Sequence, residues 1–223
     1  MQMQKWSLAL AVLALVAVPA LAPAQGKTAV DAPGTFVRVA ATADGWVTLG
    51  YRLANASVEK EWMLLEVMLA LPQGVKEQTL KRTDFALVTP ERKVIQLATQ
   101  EEFQKANSLR ALNRRAEVTS DPINYIPNQA SVSRPLSLFA APNLPGVAAL
   151  ATEQFEVTDR ITAYGRLFFH VPGGIQLGQH ILDVKFASTT VTCPFMIVGE
   201  DGVKELEAKI KEIKKGAKEQ EEK

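Results

Sequence analysis

The amino-acid sequence predicts a mainly β protein, an antiparallel β-sandwich, and two observations lead to this fold class. Apolar residues recur with the period of two that strands require, first over residues 36–97 and again over residues 155–198. About eight or nine short strands of this kind, separated by turn residues, are typical of sandwiches. Helical patterns occur only between the two groups and at the C-terminus, so we expect helices only as additions to the sheets.

The N-terminal residues have the pattern of a secretory signal peptide. Lys5 precedes an apolar run, Leu8 to Val18, which is shorter than the roughly 20 residues of a spanning helix. Ala22-Pro23-Ala24 then supplies a small-residue cleavage site, so residues 1–24 are predicted to be removed. Residues 25–34 are predicted to be a flexible N-terminus. We therefore expect an exported protein, periplasmic or extracellular.

The first group of strands contains two well-marked runs. In residues 45–53 apolar and polar positions alternate, which predicts a strand with one buried face formed by Val47, Leu49, Tyr51 and Leu53. Residues 62–71 are apolar at almost every position except Glu66. That pattern predicts a central strand whose two faces are both covered.

A hairpin and a second group of strands follow the same rules. The hairpin consists of Thr83–Val88, the turn Thr89–Lys93 and the returning strand Val94–Leu97. The second group contains glycines that are typical of turns between strands. Its predicted strands are Phe155–Val157, Tyr164–Val171, Ile181–Phe186 and Val191–Val198.

Residues 100–152 lack the strand period, and we predict them to be a helix-containing insertion in a β-sandwich domain of residues 35–199. The first part, Gln100 to Val118, is rich in helix formers, with acidic residues near its start and basic residues near its end. The apolar stripe of the predicted helix is Phe103, Ala106, Leu109, Leu112 and Ala116. From 119 to 152 prolines interrupt every run, and a loop of this length is either functional or partly disordered.

Residues 200–223 are predicted to form a charged C-terminal helix. Its apolar residues recur at intervals of three and four, as in a short coiled-coil seam, at Val203, Leu206, Ile210, Ile213 and Ala217. Two interpretations remain open. The helix either packs on its own domain or frays in solvent, or it mediates self-association.

Composition and charge argue against two classes of partner. The chain has 25 Lys and Arg against 24 Asp and Glu, whereas nucleic-acid binding relies on a clustered excess of basic residues. We therefore expect no nucleic-acid partner. After the signal, the sequence contains no apolar run of the roughly 20 residues that a spanning helix needs, so no transmembrane segment is expected in the mature chain.

Two sequence features resemble a known group of domains. A phenylalanine-led strand ends in the turn Pro90-Glu91-Arg92-Lys93, and the aromatic run Arg166-Leu167-Phe168-Phe169 ends in Val171-Pro172-Gly173. These resemble the immunoglobulin-like β-sandwich domains of uncharacterised bacterial secreted proteins and lipoproteins. The resemblance implies a binding or scaffolding role and offers no catalytic residues. The chain departs from the group in the 100–152 insertion and in lacking a lipid-acceptor cysteine.

The sequence contains no recognisable catalytic, cofactor-binding or metal-binding motif. His170 and His180 are the only histidines, and although facing strands would let them share a metal, two ligands are too few. The nearest carboxylate, Asp183, points to the opposite face of a strand from His180. Cys193 lies in an apolar run and is interpreted as a small buried hydrophobe, with an intermolecular bridge as the alternative. We therefore expect no enzyme, cofactor or metal.

The candidate contact residues lie in the insertion. Apolar residues in a proline-bounded segment, with arginines nearby in sequence, form a candidate contact patch comprising Arg110, Arg114, Ile123, Tyr125 and Ile126. The alternative is that these side chains cap the open end of the sandwich.

The sequence thus leaves two functions open. The first is an exported, non-enzymatic module that contacts a partner protein or envelope component through the insertion, with the C-terminal helix as a second contact. The second is a carrier or sensor of a small ligand bound between the insertion and the sandwich, with Tyr125, Arg110 and Arg114 as polar anchors.

Overall fold

The structure is a computed structural model that describes residues 28–106, 108–119, 122–125, 132–139, 151–205 and Ala208. The predicted signal peptide and most of the predicted C-terminal helix lie outside the described residues. Within them, no helix is both long enough and apolar enough to cross a membrane.

The described residues form twelve strands and three α-helices. The strands are β1 (Ala29–Gly34), β2 (Val37–Ala41), β3 (Trp46–Gly50), β4 (Trp62–Ala70), β5 (Gln78–Lys81), β6 (Phe85–Val88), β7 (Val94–Gln96), β8 (Val132–Pro135), β9 (Gln154–Val157), β10 (Ile161–His170), β11 (Gly178–Lys185) and β12 (Thr190–Ile197). The helices are α1 (Arg52–Asn55), α2 (Gln100–Lys105) and α3 (Ser108–Thr119), and the chain is again helical over residues 199–205.

The strands belong to three sheets. The larger sheet has the order β1-β2-β3-β4-β10-β8, the smaller sheet has the order β12-β11-β6-β7, and β5 pairs with β9. Neighbouring strands are antiparallel except β8, which runs parallel to β10. The prediction of a mainly β fold with antiparallel sheets is confirmed.

One large apolar cluster, the main core, draws side chains from both sheets. Leu49, Leu65 and Leu167 come from the larger sheet, and Leu87, Leu182 and Phe195 come from the smaller one. All six are at most 2% exposed. Burying apolar area on this scale is the dominant favourable contribution to folding.

The predicted hairpin and central strand are found in the structure. Val88 lies opposite Val94 across β6 and β7, and the Thr89 N–H closes the turn on the Lys93 carbonyl at 2.9 Å. β4 lies between β3 and β10 and is buried along most of its length. Its two buried faces explain the nearly continuous apolar run.

The strand predicted over residues 45–53 is shorter than expected. β3 ends at Gly50, because Tyr51 leaves the strand to pack its ring against Phe195, with 5.1 Å between ring centroids. Leu53 therefore lies on α1 rather than on the strand face. The helical turn closes with the Asn55 N–H bonded to the Tyr51 carbonyl at 3.0 Å.

Two edge strands lie where the sequence shows no strand period. β1 occupies Ala29–Gly34 of the segment expected to be flexible, and β8 lies inside the segment expected to be a loop. Most side chains of β1 and all four of β8 are exposed. An edge strand pairs through its backbone on one side, so exposed side chains leave no apolar alternation to detect.

The helix predicted over residues 100–118 is two helices that meet near Ala106. α2 begins with a capping box, in which Thr99 Oγ1 accepts from the Glu102 N–H at 3.1 Å and Glu102 Oε2 accepts from the Thr99 N–H at 2.7 Å. The backbone leaves the helical region at Ala106, and α3 follows from Ser108.

The C-terminal helical segment begins docked on the body of the protein. The buried Asn55 side chain accepts from the Val198 N–H at 2.8 Å and donates to the Gly199 carbonyl at 3.3 Å. Val203, the first apolar residue of the predicted stripe, packs against the main core. The start of the segment thus packs on its own domain, which is the first of the two interpretations. The other apolar residues of the stripe lie outside the described residues, namely Leu206, Ile210, Ile213 and Ala217.

The two histidines do not face each other, so the facing-strand arrangement considered for a shared metal does not occur. His170 lies on the larger sheet, whereas His180 is fully buried on the smaller sheet and stacks on Phe195 at 5.6 Å. Among the described residues, His180 Nε2 has no hydrogen-bond partner. Burial lowers the pKa of His180 from its ordinary value of 6.5.

We expect His180 to make the protein less stable as the pH falls. Below about pH 6.5 the unfolded chain binds a proton at this ring that the folded chain resists, so acidification favours unfolding. Urea unfolding between about pH 7.5 and 5.5 should therefore show a smaller loss of stability in His180→Leu than in the wild type.

His170→Gln is the control, because that ring lies on the surface, with its side chain 42% exposed. Equal pH slopes in the wild type and in His180→Leu would show that the buried ring is not responsible.

Candidate functional site

A second apolar cluster lies on the face of the larger sheet that points away from the main core. Leu64 and Phe168 lie opposite each other on β4 and β10 and alternate with residues of the main core. The remaining members come from the helices, and the buried residues of the cluster are Leu53, Leu64, Phe103, Leu109, Ala116 and Phe168. We call α2, α3 and residues 122–125 the covering segment.

The predicted helical stripe is the part of the covering segment that packs on the sheet. Phe103, Leu109 and Ala116 are buried in the second cluster, and Ala106 and Leu112 pack against it. The stripe prediction therefore identified the buried face correctly across both helices.

Three phenylalanine rings join the covering segment to the sheet. Phe103 of α2 lies 4.8 Å from Phe168 of β10 and 5.0 Å from Phe139, and Phe139 lies 5.1 Å from Phe168. Tilted and edge-to-face contacts at these distances add about 0.5–1.5 kcal/mol per pair beyond area burial. Phe139 also packs against the main core, so it links the two clusters.

Residues 122–125 dock on β3. The carbonyl of Tyr125 accepts hydrogen bonds from Thr48 Oγ1 at 2.7 Å and from Trp46 Nε1 at 2.9 Å. The Ile123 side chain lies over Gly50, where a Cβ atom would lie only 2.9 Å from Ile123 Cγ2. The glycine therefore provides the space that lets Ile123 approach the sheet.

A buried arginine holds the chain on both sides of the covering segment. Arg82 is 6% exposed, and its guanidinium donates to the Ala98 carbonyl at 2.6 Å, to the Leu138 carbonyl, and to Glu153 Oε2 at 2.9 Å. Its Cζ lies 4.7 Å from the centre of the Phe139 ring. One side chain thus fixes the backbone just before α2 and the backbone that follows β8.

A groove of about 430 Å³ opens beside α3, between the covering segment and β10. Apolar residues line its walls, among them Phe103, Ile123, Leu136, Phe139 and Phe168. Its size falls within the roughly 300–1,000 Å³ of small-molecule sites.

Arg166, Glu66 and Asn113 form the polar part of this groove. Arg166 Nε lies 3.7 Å from Glu66 Oε1, and Arg166 Nη1 donates to Asn113 Oδ1 at 2.7 Å. The Arg166 and Glu66 side chains are only 25% and 13% exposed. Arg166 and Glu66 are direct cross-strand partners on β10 and β4, so the sheet itself brings the charges together.

A second cleft, of about 500 Å³, lies between α3 and the loop that precedes β4. Trp62 and Arg115 line it, together with the charged residues Glu59, Lys60 and Glu61. These three loop residues are exposed, so water screens their charges. The groove around Arg166 is therefore the stronger candidate site, because its polar groups are largely withdrawn from water.

The structure distributes the predicted contact residues unevenly. Ile123 lines the groove, and Tyr125 uses its carbonyl for docking while its side chain stays 39% exposed. Arg114 is exposed on α3 and is not among the groove-lining residues. Arg110 lies in α3, but its side chain is outside the described part of the chain, as is the whole of Ile126.

Sequence reasoning did not single out Arg166, Glu66 and Asn113 as site residues. Glu66 carried a signal, because it is the exception in an otherwise apolar strand run. The other two carried none, since an arginine within a strand and an asparagine on a helix are ordinary surface residues.

Neither a metal cluster nor a reactive thiol emerges from the described residues. They contain no group of three or more His, Cys, Asp and Glu side chains placed to hold a metal ion. Burial raises the pKa of the Cys193 thiol to about 12, so this side chain is a small buried hydrophobe at neutral pH, as its apolar run predicts. Comparison of the chain with protein-family models, curated proteins and solved structures gives no match.

Arg82→Met is expected to destabilise the fold by about 3 kcal/mol, because the Ala98 and Leu138 carbonyls lose their donor, at roughly 1–3 kcal/mol for each unsatisfied buried group. Arg82→Lys should fall between the wild type and Arg82→Met, since one ammonium cannot reproduce the guanidinium fork. Urea unfolding measures both. Arg160→Met is the control at an exposed arginine, and an equal cost at both positions would contradict the anchoring role of Arg82.

Gly50→Ala is expected to weaken the docking of Ile123, because the added methyl group would lie 2.9 Å from Ile123 Cγ2. A double-mutant cycle with Ile123→Ala isolates this contact, since the effect of alanine on the unfolded chain is common to both backgrounds and cancels. We expect Gly50→Ala to cost about 1 kcal/mol more in the wild-type background than in the Ile123→Ala background. Additive costs would show that the two residues do not touch.

Proposed function

We propose that this protein is an exported, non-enzymatic binding protein that carries or senses a small ligand in the groove between the covering segment and the larger sheet. The observation that carries the proposal is the polar group formed by Arg166, Glu66 and Asn113 inside an otherwise apolar groove. Charges withdrawn from water cost folding free energy, and a binding site is a physical reason to keep them there. Export rests on the N-terminal sequence pattern.

Ligand binding is better supported than a protein partner held by the predicted contact patch. Ile123 packs toward the sheet rather than outward, so among the described residues of the patch only Arg114 and Tyr125 are exposed. A protein interface needs a cluster of accessible anchor residues. A groove with apolar walls and a few convergent polar groups instead suits a small molecule.

The proposed scaffold is an immunoglobulin-like β-sandwich formed by the larger and smaller sheets. Two observations support it. Residues of both sheets form the main core, and the chain crosses from the larger to the smaller sheet twice, after β4 and after β10. The covering segment and β8 are additions on the side of the larger sheet. The rigid sheet then positions the binding residues.

The absence of enzymatic activity belongs to the proposal and follows from the character of the groove. Glu66 is the one carboxylate among the described groove-lining residues, and it lies beside Arg166. Catalysis by paired carboxylates, as in glycoside hydrolysis, needs a second such group in the same groove.

Native mass spectrometry of the mature protein purified from its own host tests the proposal. We expect a monomer with additional mass that denaturation releases, and we expect Arg166→Met to lose this mass because the polar anchor is gone. Ala111→Trp is the matched control, since Ala111 lies on the same helix as Asn113 but lines the second cleft. A monomer without additional mass in the wild type as well as in the variants, or a complex with another protein chain, would overturn the proposal.

A further inference from the structure

We propose that the second cleft, between α3 and the loop that precedes β4, binds a saccharide through a sugar ring with an apolar face. This site is separate from the groove of the proposed function. Three properties of the cleft lead to the inference: an aromatic side chain in its wall, polar groups of both kinds around it, and a loop whose backbone is fixed.

The aromatic side chain is Trp62, the first residue of β4. It is half-buried and lines the cleft. Trp62 lies opposite His170 across β4 and β10, and the two rings stack with 5.0 Å between their centroids, which holds the indole in one orientation. The face of an aromatic ring carries partial negative charge and attracts the partly positive C–H groups on the faces of a glucose-type ring. The indole therefore offers a surface that suits a sugar ring.

The polar groups around the cleft include both acceptors and donors. Glu59 and Glu61 contribute carboxylates, which accept hydrogen bonds, and Lys60 and Arg115 contribute cationic groups, which only donate. All four side chains belong to exposed residues, so a ligand in the cleft can reach them. Each hydroxyl group of a sugar both donates and accepts, so a ring that bears several hydroxyls can satisfy both kinds of partner.

A nearly buried hydroxyl in the wall of the cleft lacks a partner. Ser57 is 5% exposed and lines the cleft, and in the part of the chain that the structure describes its Oγ makes no hydrogen bond. Ser57 Oγ is also not one of the fully enclosed unpartnered atoms of that part, so it keeps a small accessible area. An unpaired hydroxyl at this depth is costly, and a ligand hydroxyl in the cleft would supply its partner.

The loop of residues 57–61 is fixed by backbone hydrogen bonds to the loop after β10. The Glu59 N–H donates to the Ile175 carbonyl at 2.9 Å, and the Ile175 N–H donates to the Lys60 carbonyl at 2.9 Å. Glu59 has a φ of 67°, a left-handed conformation that is uncommon outside glycine. Residues held in such conformations cluster at ligand sites. Groups that are already in position also lose less conformational freedom when a ligand binds.

Two probes test the inference on the wild-type protein, namely methyl β-D-glucopyranoside, whose ring has apolar faces, and sorbitol, an open-chain polyol without a ring. Titrations followed by ¹H–¹⁵N NMR spectra should show saturable shifts with the glucoside and binding of sorbitol that is weaker by about tenfold or more. The largest shifts should fall on the Trp62 indole N–H and on the amides of Ser57, Glu59 and Arg115. This comparison does not depend on how a substitution affects folding.

Cellotetraose, a chain of glucose rings, distinguishes two sources of the same chemistry. Binding of this probe in the cleft also supports the inference. A higher affinity than that of the glucoside would identify a glycan chain, and an equal affinity would identify a free sugar.

A matched pair of variants assigns the binding to the cleft. Arg114 and Arg115 are adjacent exposed residues of α3, but only Arg115 is among the residues that line the cleft. Arg115→Ala should therefore weaken glucoside binding by about threefold or more, because a donor is lost, whereas Arg114→Ala should leave it unchanged. Trp62→Leu, which keeps an apolar side chain on the sheet, should weaken it by about tenfold or more.

The outcomes that overturn the inference leave the proposed function standing. Absence of saturable shifts with both sugars overturns the inference, as does equally tight binding of sorbitol, an equal effect of Arg114→Ala and Arg115→Ala, or shifts confined to the groove. The proposed function is tested separately by the additional mass of the purified protein. A sugar in this exposed cleft is expected to bind in the millimolar range and to be lost on purification, so it does not contribute to that mass.

Discussion

The structure depends on the buried guanidinium of Arg82. An uncompensated charge in the interior is costly, and here the cost is offset by two backbone carbonyls, one carboxylate and an aromatic face. The carbonyls belong to residues on the two sides of the covering segment, Ala98 and Leu138. Because one side chain satisfies both, Arg82 ties together the two points of the chain between which the covering segment runs.

The groove follows from this arrangement. Arg82 holds the chain before α2 and after β8. Between these points the apolar stripe of α2 and α3 packs on Leu64 and Phe168. Phe139, whose ring lies beside Arg82, packs against Phe103 of α2. The outer face of the larger sheet is thereby buried where it is apolar. Where β4 and β10 instead carry Glu66 and Arg166, the groove opens beside the covering segment. The same sheet therefore supplies both the apolar surface on which the covering segment packs and the charged residues of the candidate site.

The sequence predicted those parts of the fold in which burial has a period. β4, the β6–β7 hairpin and the late strands alternate or run apolar because the sheets bury them, and the stripe of α2 and α3 was recognisable for the same reason. β1 and β8 could not be predicted from the sequence, because their mostly exposed side chains give no apolar period and the strands pair through backbone groups. The strand that was expected to reach Leu53 ended early because of a tertiary contact, the packing of Tyr51 on Phe195.

The candidate site was less predictable than the fold. Ile123 was recognised as a contact residue from its apolar character in a proline-bounded segment, although the structure turns it toward the sheet. The pairing of Glu66 with Arg166 depends on the register of two strands far apart in the chain. Periodicity indicates which face of a strand each residue occupies, but not which residue lies opposite it on the next strand. Arg82 is similarly hidden, because its three oxygen partners come from three separate segments.

Hydrogen exchange of the intact protein tests most directly whether the covering segment is docked on the sheet. Isolated helices as short as α2 and α3 are marginal in water, so their amides are protected only if tertiary packing holds them. The account predicts that the amides of Leu109 and Ala116 exchange with protection approaching that of β4 and β10. Exchange of these amides at the rate of an unstructured chain, while the sheet stays protected, would contradict it and remove the basis of the groove.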